Sequence, residues 1–320
     1  MNVLTFDIGG ANTKRLAFDS DTGSVASEIH YFPFWQKKEE FGAFLAGLAE
    51  DCDRVGITMT AELSDVFATK EEGVQFIVDV CEDVFESPLY LTLDRTLINA
   101  DEIKNPADLA AANFLASTYY LEREFGEGLL IDCGSTTTDI IPFDKGRKYP
   151  KTDLERLKAC QLLYTGLLRT PVTAIVDGVP FDGKMVPLSS EYFAITADVY
   201  NVLGIISENE YSCDTPDGKG KSKDESMQRI ARVLCADLDE IGKRKINEIC
   251  EYVSDRQVER IADTIERHGG KRACIAGFGR VLAKEACERT SLEATDLQAV
   301  TPAYDNLPCL GLAHMLAKVV

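Results

Sequence analysis

The stretch that most constrains the fold runs from Val3 to Lys14, where an apolar segment ends in an aspartate, two glycines and small polar residues. An apolar run that stops at a glycine pair predicts a buried strand entering a tight turn. Glycine lets backbone amides approach an anion closely, and the Asp7 carboxylate at the strand end suits a hydrated divalent cation. The stretch therefore indicates phosphate chemistry, with an ordinary β-hairpin of an α/β protein as the alternative.

The same pattern occurs again between Leu129 and Asp139, which indicates an internal repeat. An offset of 125 residues aligns Asp7 with Asp132, Gly9 with Gly134, and Thr13 with Thr138. Two such units at a domain-sized spacing predict two similar halves that face each other across a cleft, each with a phosphate-binding hairpin. The repeat favours phosphate binding over an ordinary hairpin.

The composition narrows the class of ligand and the cellular setting. With 320 residues and 45% hydrophobic content, the chain is long enough for two globular domains. A net charge of -19 argues against general nucleic-acid binding and means that an anionic substrate needs a metal or focused donors. No apolar run is long enough for a membrane span, and we expect a cytoplasmic protein that acts on small molecules and can form a homo-oligomer.

Neither a disulfide framework nor a zinc site is indicated. The ten cysteines are scattered without a CxxC pair, which favours reduced and mostly buried thiols. The three histidines have no partner at metal-ligand spacing.

Hydroxyl and carboxylate side chains follow a predicted strand over Arg54 to Thr58. Thr60, Glu62 and Asp65 lie just beyond its end, where α/β sheets commonly contact ligands. The alternative is a helix cap in which Thr60 caps and Asp65 is solvated.

The region from Lys145 to Arg272 contains additional segments that the internal repeat does not account for. Arg169, in a turn-rich segment, is a candidate anion ligand. A polar loop follows from Tyr211 to Ser222, but Thr215 stands where a P-loop needs its first glycine, so we reject that motif. This loop is predicted to be either a lid over an anion or a solvated loop, because Lys219, Lys221 and Lys223 lie in it or directly after it. Helices are predicted after it, over 227–252 and 258–268.

The architecture resembles the superfamily of acetate and sugar kinases, heat-shock chaperones and actin. Asp7 with the Gly9-Gly10 turn is similar to its first phosphate motif, and 132–139 is similar to the second. The glycine-ended strand at 273–280, with Gly277, Gly279 and Arg280, is similar to its adenosine motif. The resemblance implies an α/β fold of two RNase H-like domains with a central cleft. We expect domains over 1–125 and 126–309, an insertion over 145–272, and a C-terminal helix at 310–320 that packs back on the first domain.

Four longer segments together resemble the hydantoinase/oxoprolinase-like family of archaea and methylotrophs. They are 7–14, 58–65, 166–171 and 211–222. The resemblance implies a transferase of methanofuran biosynthesis and one-carbon metabolism. Its reaction would join γ-glutamyltyramine, through the phenol oxygen, to the carbon of 5-(aminomethyl)-3-furanmethanol diphosphate, with release of diphosphate.

That chemistry suggests a role for each residue of the matching motifs. The main task is to stabilise the departing diphosphate, for which a metal, backbone donors and positive charge are suited. We expect Mg²⁺ on Asp7, Asp132 and Asp139, and added charge from Lys14. Hydrogen-bond donors to phosphate are expected at Gly9, Gly10, Asn12, Thr13, Gly134, Ser135, Thr136, Thr137 and Thr138. Thr60, Arg169 and Lys221 are expected to bind substrate, and Glu62 or Asp65 is the candidate base for the phenol, although Glu62 could equally bind an amine.

Two other classes of function use the same motifs. A small-molecule kinase or an ATP-dependent hydrolase of the hydantoinase/oxoprolinase type would bind ATP at the hairpins, with 277–280 against adenine. A non-catalytic nucleotide switch or filament protein, in the manner of actin, would polymerise or bind a partner with ATP.

Overall fold

The computed structural model describes residues 1–318, so the last two residues of the helix predicted over 310–320 lie outside the described residues. The chain divides into two compact units. The first unit holds Met1–Leu130, Ile141–Ala159 and the chain from Leu297 onward. The second unit holds Ile131–Ile140 and Cys160–Asp296.

Strands and helices alternate along both units. The strands are β1 (Asn2–Ile8), β2 (Asn12–Asp19), β3 (Ser24–Tyr31), β4 (Arg54–Met59), β5 (Leu89–Leu91), β6 (Leu97–Ile98), β7 (Gly128–Cys133), β8 (Thr138–Phe143), β9 (Leu162–Leu163), β10 (Gly178–Phe181), β11 (Lys184–Pro187), β12 (Arg272–Ala276) and β13 (Glu293–Asp296). The helices are α1 (Phe34–Lys37), α2 (Phe41–Gly47), α3 (Lys70–Val84), α4 (Asn113–Phe125), α5 (Asp153–Lys158), α6 (Thr196–Leu203), α7 (Lys223–Arg232), α8 (Leu238–Ile241), α9 (Lys243–His268), α10 (Arg280–Arg289) and α11 (Leu307–Leu316). Short 3-10 helices occupy Lys38–Glu40, Ala61–Leu63, Ala100–Glu102, Pro106–Leu109, Val172–Ala174 and Leu297–Ala299.

The first sheet has the strand order β3-β2-β1-β4-β5-β6. Its central strand β1 is antiparallel to β2 and parallel to β4. One face of β1 is apolar, and Leu4, Phe6 and Ile8 pack into a core with the aromatic side chains of α1 and α2. The alternation of side chains along a strand places Thr5 and Asp7 on the other face.

The second sheet repeats the first. Its order is β13-β12-β7-β8-β9, so β7 and β8 correspond to β1 and β2, while β12 and β13 correspond to β4 and β5. A separate ribbon is formed by β10 and β11. When the strands are numbered by their order within each unit, both sheets share the order 3-2-1-4-5, with β9 in the place of β3. This order is the RNase H-like arrangement. The predicted α/β class is confirmed.

The C-terminal helix α11 covers the face of the first sheet that carries Thr5. The Thr5 hydroxyl donates to the carbonyl oxygen of Cys309 at 3.0 Å. A Cβ atom on Gly311 would lie 1.9 Å from the carbonyl oxygen of Ala116, so only glycine permits this close crossing of α11 and α4. The helix thereby closes the core of the first unit.

The helix prediction over 227–252 is wrong in its boundaries. The chain forms α7, breaks, forms the short α8 and then runs without interruption through α9. Gly242 separates α8 from α9 with a φ of +84°, a conformation that favours glycine. The polar run around Gln257 is not a break between helices, because the Gln257 side chain is buried and bonded to Tyr200.

The cysteines are free thiols in the part of the chain that the structure describes. Burial raises the pKa of the Cys133 thiol to about 12, whereas Cys235 is exposed. Within residues 1–318, no helix combines the length and the apolar character needed to cross a membrane.

Candidate active site

The first turn joins β1 to β2 and is closed by backbone contacts. The Gly9 amide donates to the carbonyl oxygen of Asn12 at 3.0 Å. A Cβ atom on Gly9 would lie 2.7 Å from that oxygen, so the turn requires glycine. In the strand pairing beside it, Asp7 lies opposite Lys14 and Ile8 lies opposite Thr13.

The segment that contains Phe32 and Phe34 packs behind this turn, and its hydrogen bonds fix the orientation of the turn's peptides. We call it the backing segment of the first turn. The carbonyl oxygens of Gly10 and Ala11 accept from the amides of Phe34 and Phe32, at 2.9 and 3.0 Å. In a trans peptide the N–H points opposite to the C=O, so the amides of Ala11 and Asn12 point away from the backing segment. Two amides on the same side of a turn form a donor pair for an anion.

The second turn repeats this construction 125 residues later. The Gly134 amide donates to the carbonyl oxygen of Thr137 at 2.8 Å, the same bond as in the first turn. The carbonyl oxygen of Gly134 accepts from Leu167 at 2.9 Å. The carbonyl oxygen of Ser135 accepts from Leu168 and Arg169, both at 3.0 Å. Residues 167–169 are thus the backing segment of the second turn, and the amides of Ser135 and Thr136 point away from it.

Two glycines of the second unit, Gly166 and Gly277, pack closely against the second turn and the end of β7. A Cβ atom on Gly166 would lie 2.6 Å from the backbone nitrogen of Thr136. A Cβ atom on Gly277, whose φ is +83°, would lie 2.3 Å from Oδ1 of Asp132. The Gly279 amide donates to the carbonyl oxygen of Cys133 at 2.7 Å. The second unit thus brings the Asp132 strand end, the second turn and the glycine-ended strand β12 together.

Glu62 of the first unit is a buried carboxylate without a hydrogen-bond partner. It lies in the 3-10 helix after β4, and the Thr60 amide donates to the carbonyl oxygen of Ile8 at 2.8 Å, which holds this segment at the end of β1. The Glu62 side chain is 1% exposed, and neither carboxylate oxygen has a hydrogen-bond partner. A Cβ atom on Gly73 would lie 2.7 Å from the Glu62 backbone, so glycine lets α3 cover the residue.

The surroundings of Glu62 make it a stronger base than an ordinary carboxylate. Burial raises the pKa of Glu62 to about 7, and the negative charges of Asp153 and Asp7 act in the same direction. The other candidate base, Asp65, is exposed. A half-ionised carboxyl near neutral pH is suited to general acid–base chemistry.

Sequence reasoning missed Asn113, which contacts Asp7, and the ion pair between Arg156 and Asp153 in α5. Asn113 begins α4, and its side-chain amide donates to Oδ2 of Asp7 at 3.4 Å. Arg156 of α5 is 4% exposed and lies 4.2 Å above the ring of Phe114, with an ion pair of 3.1 Å to Asp153. No local motif marks these residues, because the packing of α4 brings Asn113 to Asp7, and α5 brings Asp153, the ion-pair partner of Arg156, close enough to raise the pKa of Glu62.

Some predicted ligands make hydrogen bonds or ion pairs within the fold, and others are buried or half-buried in strands. The Lys14 ammonium donates to the carbonyl oxygen of Asp305 at 2.9 Å, and the Thr138 hydroxyl donates to that of Thr165 at 2.8 Å. Thr13 is fully buried, and Asp139 is half-buried in β8. Arg280 begins α10 and pairs with Asp296 at 3.7 Å.

The polar loop over 211–222 is held firmly by a buried ion pair. Arg229 of α7 is fully buried and donates to Asp198 at 2.8 Å, to Asp217 at 3.1 Å and to the carbonyl oxygen of Gly220 at 3.1 Å. Burial raises the pKa of Asp198, and Arg229 opposes that shift. The Lys221 ammonium lies 5.5 Å from the ring centre of Tyr211. The loop is therefore an ordered segment of the second unit.

In the described chain, no group of three or more His, Cys, Asp or Glu side chains is arranged to hold a metal ion. A magnesium ion commonly keeps several waters and takes one or two carboxylates together with substrate phosphates. Single carboxylates at the strand ends, each beside a glycine turn, fit that mode of binding.

The hydantoinase/oxoprolinase family model matches residues 53–319. The chain belongs to this family. The predicted family is thereby confirmed. The match begins beyond the first turn and includes the Glu62 segment, the second turn and the loop over 211–222.

Curated relatives extend the similarity to nearly the whole chain. A protein of Methanocaldococcus jannaschii is 38% identical over 318 residues, which cover 94% of this chain and 95% of the relative. A protein of Methanococcus vannielii is 45% identical over 163 residues, which cover 49% of this chain and 73% of the relative. Both relatives are named (4-{4-[2-(γ-L-glutamylamino)ethyl]phenoxymethyl}furan-2-yl)methanamine synthase.

Solved structures with a similar backbone have low sequence identity. One is a ROK family glucokinase from Streptomyces griseus, 12% identical, with a TM-score of 0.48 and coverage of 98% of this chain and 99% of that chain. Another is the activator of the 2-hydroxyisocaproyl-CoA dehydratase from Clostridium difficile, 12% identical, with a TM-score of 0.47 and coverage of 98% and 93%.

Proposed function

We propose that this protein is the transferase that forms the aryl ether of a methanofuran precursor. It joins γ-glutamyltyramine, through its phenol oxygen, to the methylene carbon of 5-(aminomethyl)-3-furanmethanol diphosphate. The similarity over 94% of the chain to a synthase of such an ether supports the reaction. On this chain itself, the buried Glu62 carboxylate is the observation that carries the mechanism.

The reaction exchanges one carbon–oxygen bond for another. The bond between the furanylmethyl carbon and diphosphate breaks, and its electron pair leaves with diphosphate. The phenol oxygen donates an electron pair to the same carbon, and its proton passes to a base. The electron-rich furan ring stabilises positive charge on the carbon, so the main catalytic demand is on the leaving group.

The donor pairs of the turns are the groups that we assign to the diphosphate. Amides that already point to one side need no reorganisation when charge develops on the departing oxygens. In the first unit Asp7, and in the second unit Asp132 and Asp139, are the residues that would hold Mg²⁺, and a bound Mg²⁺ would neutralise part of the diphosphate charge.

Glu62 is the base that we assign to the phenol. A phenol of pKa about 10 gives its proton to an ordinary carboxylate only at a cost of about 8 kcal/mol, from a difference of about six pKa units. With the pKa of Glu62 raised to about 7, the difference falls to about three units and the cost to about 4 kcal/mol. Burial also keeps water from the base, which limits capture of the furanylmethyl carbon by water.

The decisive experiment is incubation of the purified protein with the furanmethanol diphosphate, γ-glutamyltyramine and Mg²⁺, followed by mass analysis. The expected products are the aryl ether and one equivalent of diphosphate. A protein that forms no ether but turns over ATP with a small-molecule acceptor would instead be a kinase or an ATP-dependent hydrolase. Filament formation with ATP and no product would indicate a nucleotide switch.

A further inference from the structure

Arg169 is anchored directly beside the second turn. Its backbone amide donates to the carbonyl oxygen of Ser135 at 3.0 Å. The side chain is half-buried, so its guanidinium is only partly open to solvent. Arg169 therefore occupies a fixed place next to a turn that we assign to substrate.

The segment that carries Arg169 is bonded on its other side to the start of α6. The Ala197 amide donates to the carbonyl oxygen of Leu168 at 3.0 Å, and the Thr196 amide donates to that of Thr170 at 2.8 Å. These bonds flank Arg169 on both sides in sequence. The first turn of α6 is consequently a direct neighbour of Arg169.

Helix α6 in turn positions Lys221. The Asn201 side chain donates to the carbonyl oxygen of Lys221 at 2.7 Å. The Tyr211 hydroxyl donates to Asp198 at 3.0 Å, and the Lys221 ammonium lies over the Tyr211 ring. A continuous set of hydrogen bonds thus connects the second turn, Arg169, α6 and Lys221.

Electrostatic effects on one thiol agree with this placement. Burial raises the pKa of Cys213 to about 11, and Arg169 and Lys221 are the cations that oppose the shift. Burial raises the pKa of the half-exposed Tyr192 as well, where Arg169 again opposes and Asp214 adds to the shift. Arg169 therefore acts on both the thiol and the phenol, Lys221 acts on the thiol, and Asp214, which follows Cys213 in the chain, acts on the phenol. Asp198 acts on both groups and is paired with Arg229.

We propose that Arg169 and Lys221 bind the α-carboxylate of the glutamyl group of the acceptor, with Asp214 serving its α-ammonium group. This inference rests on the proposed function, because it deepens the assignment of the acceptor substrate. A γ-glutamyl amide carries both charges of an amino acid at one end and the phenol at the other. A site with cations and a carboxylate matches such a zwitterion, whereas Asp214 repels the several negative charges of a diphosphate.

The test compares two acceptors in the same variants. Arg169→Gln and Lys221→Gln should each lower kcat/KM for γ-glutamyltyramine by about 10- to 100-fold, the range expected for loss of one charge-assisted hydrogen bond. The loss should be in KM, and tyramine, which lacks the glutamyl group, should react with the variants as it does with the native protein. Arg169→Lys should recover part of the loss because it keeps the charge.

Lys219→Gln is the matched control, since Lys219 is an exposed lysine of the same loop and should react normally with both acceptors. Equal losses with both acceptors, or a raised KM for the furan diphosphate alone, would overturn the inference and assign the cations to the leaving group. Calorimetric titration with γ-glutamyltyramine alone separates the two proposals. Binding that depends on Arg169 in a protein that forms no ether would support this site and reject the reaction. Ether formation with losses that are alike for both acceptors would reject this site alone.

Discussion

Replacing Glu62 by glutamine should lower activity and raise stability, and the two effects have one cause. The carboxyl is buried without a hydrogen-bond partner, so the folded protein favours its neutral form. Its pKa in the folded state is about 7, against 4.5 for the ordinary group. Glutamine has nearly the same shape and stays neutral at every pH.

The stability effect follows from linkage between protonation and folding. Because the folded-state pKa is the higher one, the carboxyl costs the fold nothing below about pH 4, and the cost grows as the pH rises through about 7. A difference of about 2.5 units corresponds to about 3 kcal/mol when the cost is complete. The variant should therefore gain about 3 kcal/mol over the native protein between about pH 4 and about pH 8, measured by urea unfolding at both values.

The activity effect has the opposite sign. Loss of a general base typically costs about 100- to 10,000-fold in rate, so Glu62→Gln should lower kcat by at least about 100-fold at neutral pH. The native rate should rise with pH to a plateau above about 7, and the variant should lack that inflection. A fluorinated tyramine ring is more acidic and needs the base less, so the defect should shrink with that acceptor.

Asp65→Asn is the control for both measurements, because Asp65 is an exposed carboxylate of the same segment. It should change neither the pH dependence of unfolding nor the inflection in the rate. If the stability difference between Glu62→Gln and the native protein is the same at both pH values, the carboxyl is not held neutral by burial. If the fluorinated acceptor suffers the same defect, Glu62 binds the substrate amine or is structural rather than the base.

Two further predictions concern the turn carboxylates and the ordered loop. Asp7→Asn and Asp132→Asn should each reduce diphosphate release by at least about 100-fold with unchanged circular dichroism, and full release in a chelator or in either variant would remove their metal role. Arg229→Met should lower the free energy of unfolding in urea by about 3–5 kcal/mol, because it leaves the Asp198 charge buried without the guanidinium. Adding Asp198→Asn should restore part of that free energy. An unchanged urea midpoint for the single variant would show that the ion pair does not hold the loop.

The two turns could be predicted from sequence because everything that makes them is local. A buried strand, an aspartate and a glycine at the point of closest approach are adjacent in the chain, and the offset of 125 residues shows the pattern twice. The bond from Gly9 to Asn12 and its equivalent from Gly134 to Thr137 bear out this correspondence in the backbone.

The burial and the raised pKa of Glu62 could not be predicted from sequence. Glu62 and Asp65 lie in one short polar segment and differ in which parts of the fold cover them. Gly73 allows α3 to bury Glu62, and that contact depends on helix packing. The same holds for Asn113, which meets Asp7 from 106 residues away. The loop over 211–222 has the composition of a solvated segment, and its order comes from Arg229, an arginine buried at a position that sequence periodicity does not distinguish.

The distribution of thiols offers Cys235 as a single labelling site once the two half-buried thiols, Cys52 and Cys160, are replaced by serine. Cys235 is exposed, whereas burial raises the pKa of Cys133, Cys213 and Cys274 to about 12, 11 and 12, so few of these thiols are ionised and able to react with a maleimide. A fluorophore on Cys235 marks the second unit just beyond α7. A second dye placed on the first unit would then report the separation of the units by energy transfer, with each substrate added in turn.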